Sequence, residues 1–134
     1  LYQLTWQSKV GFIYDRKSLR RIGSFSYPTE GWGLTFDGKN LILSDGSATL
    51  YFYEPNSFKL IRTVRAMLDD EPVFNLNELE WIEGKIWANV WQSDQIVVID
   101  PQSGAVTGTL DMTGLLPASQ RKGTEDVLNG IAYD

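Results

Sequence analysis

The sequence has 134 residues, carries a formal net charge of −5 and contains neither cysteine nor histidine. That length suits one domain able to bury roughly two-thirds of its unfolded surface. The missing residues exclude a disulfide framework, a Cys/His zinc site and any Ser-His or Cys-His nucleophile pair.

The acidic balance argues against a nucleic-acid partner, which needs a basic face. Acid-base chemistry is left to carboxylates, lysines, tyrosines or water. No apolar run approaches the roughly 18–20 residues that span a bilayer, so no membrane insertion is expected. Leu1 to Trp6 has no basic n-region or cleavage pattern and does not read as a signal peptide. A chain without cysteine fits a reducing compartment and an exported bacterial protein alike.

Taken from the N-terminus, the chain repeats. Phe12-Ile13-Tyr14-Asp15 runs into Arg16-Lys17-Ser18, Tyr51-Phe52-Tyr53-Glu54 into Pro55-Asn56-Ser57, and Val97-Val98-Ile99-Asp100 into Pro101-Gln102-Ser103. The acidic positions 15, 54 and 100 lie 39 and then 46 residues apart. Proline after the acid presets a turn, and serine can bond back to the backbone. Asp37-Gly38-Lys39 and Glu83-Gly84-Lys85, also 46 apart, read as hairpin turns. The basic run from Arg16 to Arg21 reads as a solvated turn and a charged edge strand.

Each unit resolves into four strands. The second unit gives Trp32 to Phe36, Leu41 to Ser44, Thr49 to Tyr53 and Lys59 to Arg65; the third gives Leu76 to Ile82, Lys85 to Trp91, Gln95 to Asp100 and Ala105 to Asp111. Their Val, Ile, Tyr, Phe and Trp content, with Gly, Pro and Asp between them, favours strands. Four strands per repeat of about 40–50 residues describe a blade of an all-β propeller with antiparallel blades. Residues 1–26 then supply the last three strands of a blade, 27–70 and 71–115 a full blade each, and 116–134 a loop, with room for one helical turn, plus the first strand of a further blade. About three blades are expected, as part of a larger ring. A ring closed on three blades would crowd its inner strands at the axis.

Propeller chemistry gathers near the axis, by analogy with the fold. Three first-strand segments stand out: Glu30-Gly31-Trp32-Gly33, Leu76-Asn77-Glu78-Leu79-Glu80, and Val127-Leu128-Asn129-Gly130. Strand alternation places Glu78 and Glu80 on one face, opposite Asn77, either as an acid-base pair or as bridges to neighbouring strands. Trp6 and Trp91 occupy equivalent places, each followed by Gln-Ser and each nine residues before its acidic turn residue. With Trp87 they fit packing between blades; Trp6 and Trp91 equally fit two walls of an aromatic pocket. Asp45-Gly46-Ser47 reads as a turn, and Ser47 has no histidine base to make it a nucleophile.

Leu1 to Trp6, Gly11 to Arg16, Gly31 to Leu34, Ser44 to Gly46, Leu76 to Glu80, Ile86 to Trp91 and Asp126 to Ala132 together resemble the plant and bacterial type of glutaminyl cyclase, the glutamine cyclotransferases. The likeness runs in the family's order over essentially all 134 residues. It implies a five-bladed propeller that cyclises an N-terminal glutamine to pyroglutamate with release of ammonia, without cofactor or catalytic metal. It further implies that Trp6, Trp32, Asn77 and Trp91 line the substrate pocket, with Asn129 and Glu78 in a polar network around it. The partner implied is a peptide or protein beginning with Gln. The remaining blades, or another copy, would cover the open edges, and the parent would be secreted, periplasmic or endomembrane.

The family's acid/base glutamate belongs to a Phe-Gly-Glu-Gly-Leu-Thr type motif, which this sequence lacks, as it lacks the family's Phe-x-Gln and lysine motifs. The glutamate motif would precede Leu1, so the 134 residues alone are expected to be inactive. A non-catalytic propeller of the same lineage, acting as a binding module, is the alternative.

Overall fold

A computed structural model describes all 134 residues as a succession of antiparallel sheets. The first sheet holds β1 (Tyr2–Gln3), β2 (Val10–Tyr14) and β3 (Arg21–Ser26). The second runs β4 (Gly33–Phe36), β5 (Leu41–Ser44), β6 (Thr49–Tyr53) and β7 (Leu60–Arg65). A short hairpin, β8 (Met67–Leu68) and β9 (Glu71–Pro72), leads to the third sheet. That sheet runs β10 (Leu76–Ile82), β11 (Lys85–Val90), β12 (Gln95–Ile99) and β13 (Val106–Asp111). In every sheet the strands pair in chain order, the up-and-down meander of a propeller blade. The strand limits lie within one residue of those expected for the second and third units.

The apolar pattern explains which sheet sits in the middle. All four residues of β5 are buried, because this strand is covered on both faces. Ile42 packs toward the third sheet, with Leu50, Phe52, Leu76, Leu79, Ile86 and Ile99. Its neighbours Leu41 and Leu43 face the other way, toward Tyr27 and Tyr53. Alternation of side chains along a strand is what allows one strand to serve two cores. Each fully buried Leu, Ile or Phe contributes about 1.5–3 kcal/mol by leaving water. The smaller core is extended by Phe25 and Phe58, stacked with ring centroids 3.5 Å apart. By contrast, the outermost strands β3 and β13 alternate only between exposed and half-buried residues.

The acidic residues of the repeat close the same turn three times. Asp15 Oδ1 accepts from the Lys17 and Ser18 amides and from the Ser18 hydroxyl. Asp100 Oδ1 does the same with Gln102 and Ser103. Glu54 accepts from the amides of Asn56 and Ser57. The basic run takes the expected form, with Arg21 on edge strand β3 lying over the Phe12 ring.

After β13 the chain makes one 3₁₀ turn at Ala118–Gln120. Residues 127–134, expected as a strand, pair with no strand of the chain. They lie against the third sheet through polar contacts: the Gly130 amide donates to Asn89 Oδ1 and the Ile131 amide to Glu78 Oε2. Asn89 is fully buried, and its Nδ2 has no hydrogen-bond partner. Counting back from the acidic turns, its place is that of Leu4 and Leu43 in the other two sheets.

Candidate active site

The site forms where the second strands end and the next sheet's first strand begins. Main-chain hydrogen bonds within and between the sheets stitch these points together. The Gly31 amide donates to the Trp6 carbonyl (3.0 Å), and the Trp32 amide to the Ser44 carbonyl (3.0 Å). Between the second and third sheets, Asn75 N–H donates to Gly46 (2.8 Å) and Gly46 N–H to Leu76 (3.2 Å), while within the third sheet Trp91 N–H donates to Asn75 (2.8 Å). Gly46 has φ +82°, and a Cβ there would lie 2.7 Å from the Trp32 ring. A bare backbone at this position is what lets that indole lie flat against the turn.

Asn77 sits in a bulge. The β10–β11 register shifts between Leu76 and Leu79, so residues 77 and 78 leave the regular alternation expected for them. Bulges re-aim side chains and are common beside functional sites. Here the bulge is held from the neighbouring sheet, because the buried Ser44 hydroxyl donates to the Asn77 carbonyl. Gly33 permits the approach, since a Cβ on it would collide with that same carbonyl.

These ties bring together residues remote in sequence. Trp6, Gly31, Trp32, Asn77 and Trp91 line one cavity of about 340 Å³. Trp32 and Trp91 meet edge to face, with centroids 5.3 Å apart and planes at 79°, an arrangement that aromatic quadrupoles favour. Trp87, by contrast, lies mid-strand in β11 opposite Glu80 and Val98.

A feature absent from the sequence expectations is the part played by Glu30. Its Oε2 accepts hydrogen bonds from two indoles at once, Trp6 Nε1 at 2.7 Å and Trp32 Nε1 at 2.8 Å. These donors, Trp32 first and Trp6 second, hold the Glu30 carboxyl below its ordinary value. Ser44 and Gly46 stood out in the sequence only within the family likeness and a turn, without a part in shaping the site. The available signal was positional: Glu30 opens the Glu30-Gly31-Trp32-Gly33 segment already singled out.

Neither Glu78 nor Asn129 lines the aromatic cavity. Burial raises the Glu78 carboxyl, the Ile131 amide opposes that rise, and the Glu80 charge adds to it. Asn129 borders a separate, larger hollow of about 1040 Å³ beneath the 112–129 loop, together with Gln92 and Asp94.

Comparison with known proteins fits this geometry. The family model described as glutamine cyclotransferase matches residues 1–134. The chain belongs to the glutamine cyclotransferase family. It is 40% identical over 137 residues to a glutaminyl-peptide cyclotransferase of Arabidopsis thaliana, covering 100% of this chain and 43% of that protein. The crystal structure of Myxococcus xanthus glutaminyl cyclase superposes with a TM-score of 0.79 at 40% identity, over 82% of this chain and 47% of that one. BamB from Moraxella catarrhalis shares the fold alone, with a TM-score of 0.50 at 15% identity over 79% of this chain and 30% of BamB. The chain thus spans less than half the length of either glutaminyl cyclase relative.

Proposed function

We propose that this chain is the pocket-bearing portion of a glutaminyl-peptide cyclotransferase, an acyltransferase that converts an N-terminal glutamine to pyroglutamate and releases ammonia. The observation that supports this reading is the convergence of Trp6, Trp32, Asn77 and Trp91 on one cavity. The attacking α-amine must be neutral, yet its ordinary pKa is about 7.7–8.0. An aromatic enclosure removes water from the ammonium form and so favours deprotonation. Asn77 can hold the glutamine side chain and donate to the oxyanion that develops as the amine nitrogen bonds to Cδ, the carbonyl carbon of the side-chain amide. Because the reaction is intramolecular, positioning the amine against that carbon supplies much of the rate.

The bond to the departing amide nitrogen then breaks, and the proton lost by the attacking amine must reach that nitrogen. No carboxylate lines the cavity, and Glu30 is engaged by two indoles. We therefore assign the acid/base to residues outside these 134, in blades that would also cover the open edges, with no catalytic metal. By family likeness the parent is secreted, periplasmic or endomembrane.

Ammonia and pyroglutamate formation from a Gln-initiated peptide test the proposal. Turnover by the full-length protein and none by residues 1–134 alone is the expected result. A folded full-length protein that makes no pyroglutamate, yet binds such peptides, would replace the enzyme with a binding module.

A further inference from the structure

Trp6 follows β1 of the three-stranded first sheet, and within this chain its indole is held by polar contacts. Its carbonyl and its indole N–H are tied to two adjacent residues, Gly31 and Glu30. The Trp6 carbonyl accepts the Gly31 amide, and the Trp6 indole N–H donates to Glu30, whose same oxygen accepts the Trp32 indole. One carboxylate oxygen thus fixes the angle between two walls that come from different sheets and lie 26 residues apart in sequence. Hydrogen bonds to an ionised acceptor are shorter and about twice as strong as neutral ones, which suits this duty. Trp32 has a second support in the Gly46 turn and a third in the edge contact with Trp91. For the Trp6 ring, Glu30 supplies the only side-chain hydrogen bond.

We propose that Glu30 is a positioning residue for the aromatic pocket, acting through the Trp6 and Trp32 indoles and not on the reacting atoms. The assignment rests on the cyclotransferase reading for its effect on catalysis, while the clasp itself stands on geometry alone. A wall that is mispositioned weakens the hold on substrate before it alters the chemistry. In the full-length protein, Glu30→Ala is therefore expected to raise KM for a Gln-initiated peptide about tenfold while kcat changes less than about twofold. Near-UV circular dichroism of the tryptophans should lose intensity in the same variant. Glu30→Gln keeps one oxygen acceptor and is expected to restore most of both signals.

A double-mutant cycle supplies the decisive measurement. In a Trp6→Phe, Trp32→Phe background, which removes both indole donors, Glu30→Ala should add nothing further to KM. Persistence of its full effect in that background, or a fall in kcat with KM unchanged, would overturn the proposal by showing direct action on substrate. An unchanged dichroism spectrum in Glu30→Ala would overturn it by showing that the indoles need no clasp. A wild type without cyclase activity whose spectrum still responds to Glu30→Ala would refute the enzyme reading and leave the clasp standing.

Discussion

The outer turns of the three sheets and the inner ends of their second strands follow opposite rules. At the outer turns the repeat is kept: Asp15, Glu54 and Asp100 each cap a turn with the same set of main-chain donors. Nine residues earlier in each unit the repeat is abandoned, and Trp6, Asp45 and Trp91 occupy equivalent places. Asp45 behaves as another turn acid there, accepting from Ser47 and from the Tyr51 hydroxyl. The two tryptophans instead face the cavity. In a repeat fold, sameness marks what every blade needs to close, and divergence marks what the molecule does with the enclosed space.

This contrast predicts that damage at the inner ends falls on activity and damage at the outer turns falls on stability. The largest effect is expected for Asn77→Ala in the full-length protein. Its kcat for cyclisation should fall about 100-fold or more, the loss typical of a removed oxyanion donor. Thermal unfolding should scarcely move, because Asn77 is tied to the neighbouring sheet through its carbonyl. Gly46→Val comes next. It places a β-branched residue at φ +82° against the Trp32 ring, and should cost about 1–3 kcal/mol in urea unfolding as well as raising KM.

Asp100→Asn should invert that pattern. It removes the 2.6 Å ion pair with Lys85 and weakens the turn, so the melting temperature should drop by about 2–4 °C with kinetics unchanged. The smallest effect is one of pH. Turn hydrogen bonds from Ser57 and Asn56 lower the Glu54 carboxyl from 4.5 to about 2. A folded-state value below the unfolded one gives stability that is complete above about pH 4.5 and is lost as pH falls toward 2. Unfolding midpoints followed through that window should fall less steeply in Glu54→Gln.

Much of the fold was legible in the residues because its signals are local. Apolar runs, Asp-Gly-Lys and Glu-Gly-Lys turns and the acidic caps set strand limits without reference to the rest of the chain. Trp6 and Trp91 were suggested as pocket walls by their equivalent places in the repeat, and the full set with Trp32 and Asn77 came through family likeness, since no spacing rule places Trp6 beside Trp32. What escaped the sequence is non-local. The bulge at Asn77 depends on Gly33 and Ser44 from another sheet, so simple alternation misread the strand at residues 77 and 78. The role of Glu30 depends on Trp6, 24 residues away. The strand expected at 127–134 failed for a related reason, since a strand is defined by a partner and none adjoins it here.

The two-sided burial of β5 bears on how the chain opens. Its four residues sit between two cores, so the Leu41–Ser44 segment cannot be exposed without dismantling contacts on both sides. The Gly130 and Ile131 amides are held by two side-chain oxygens and no apolar cover of comparable extent. In hydrogen exchange, protons along β5 should therefore be among the last to be replaced by deuterium, at a cost near that of global unfolding, while those at 130 and 131 exchange through small local openings.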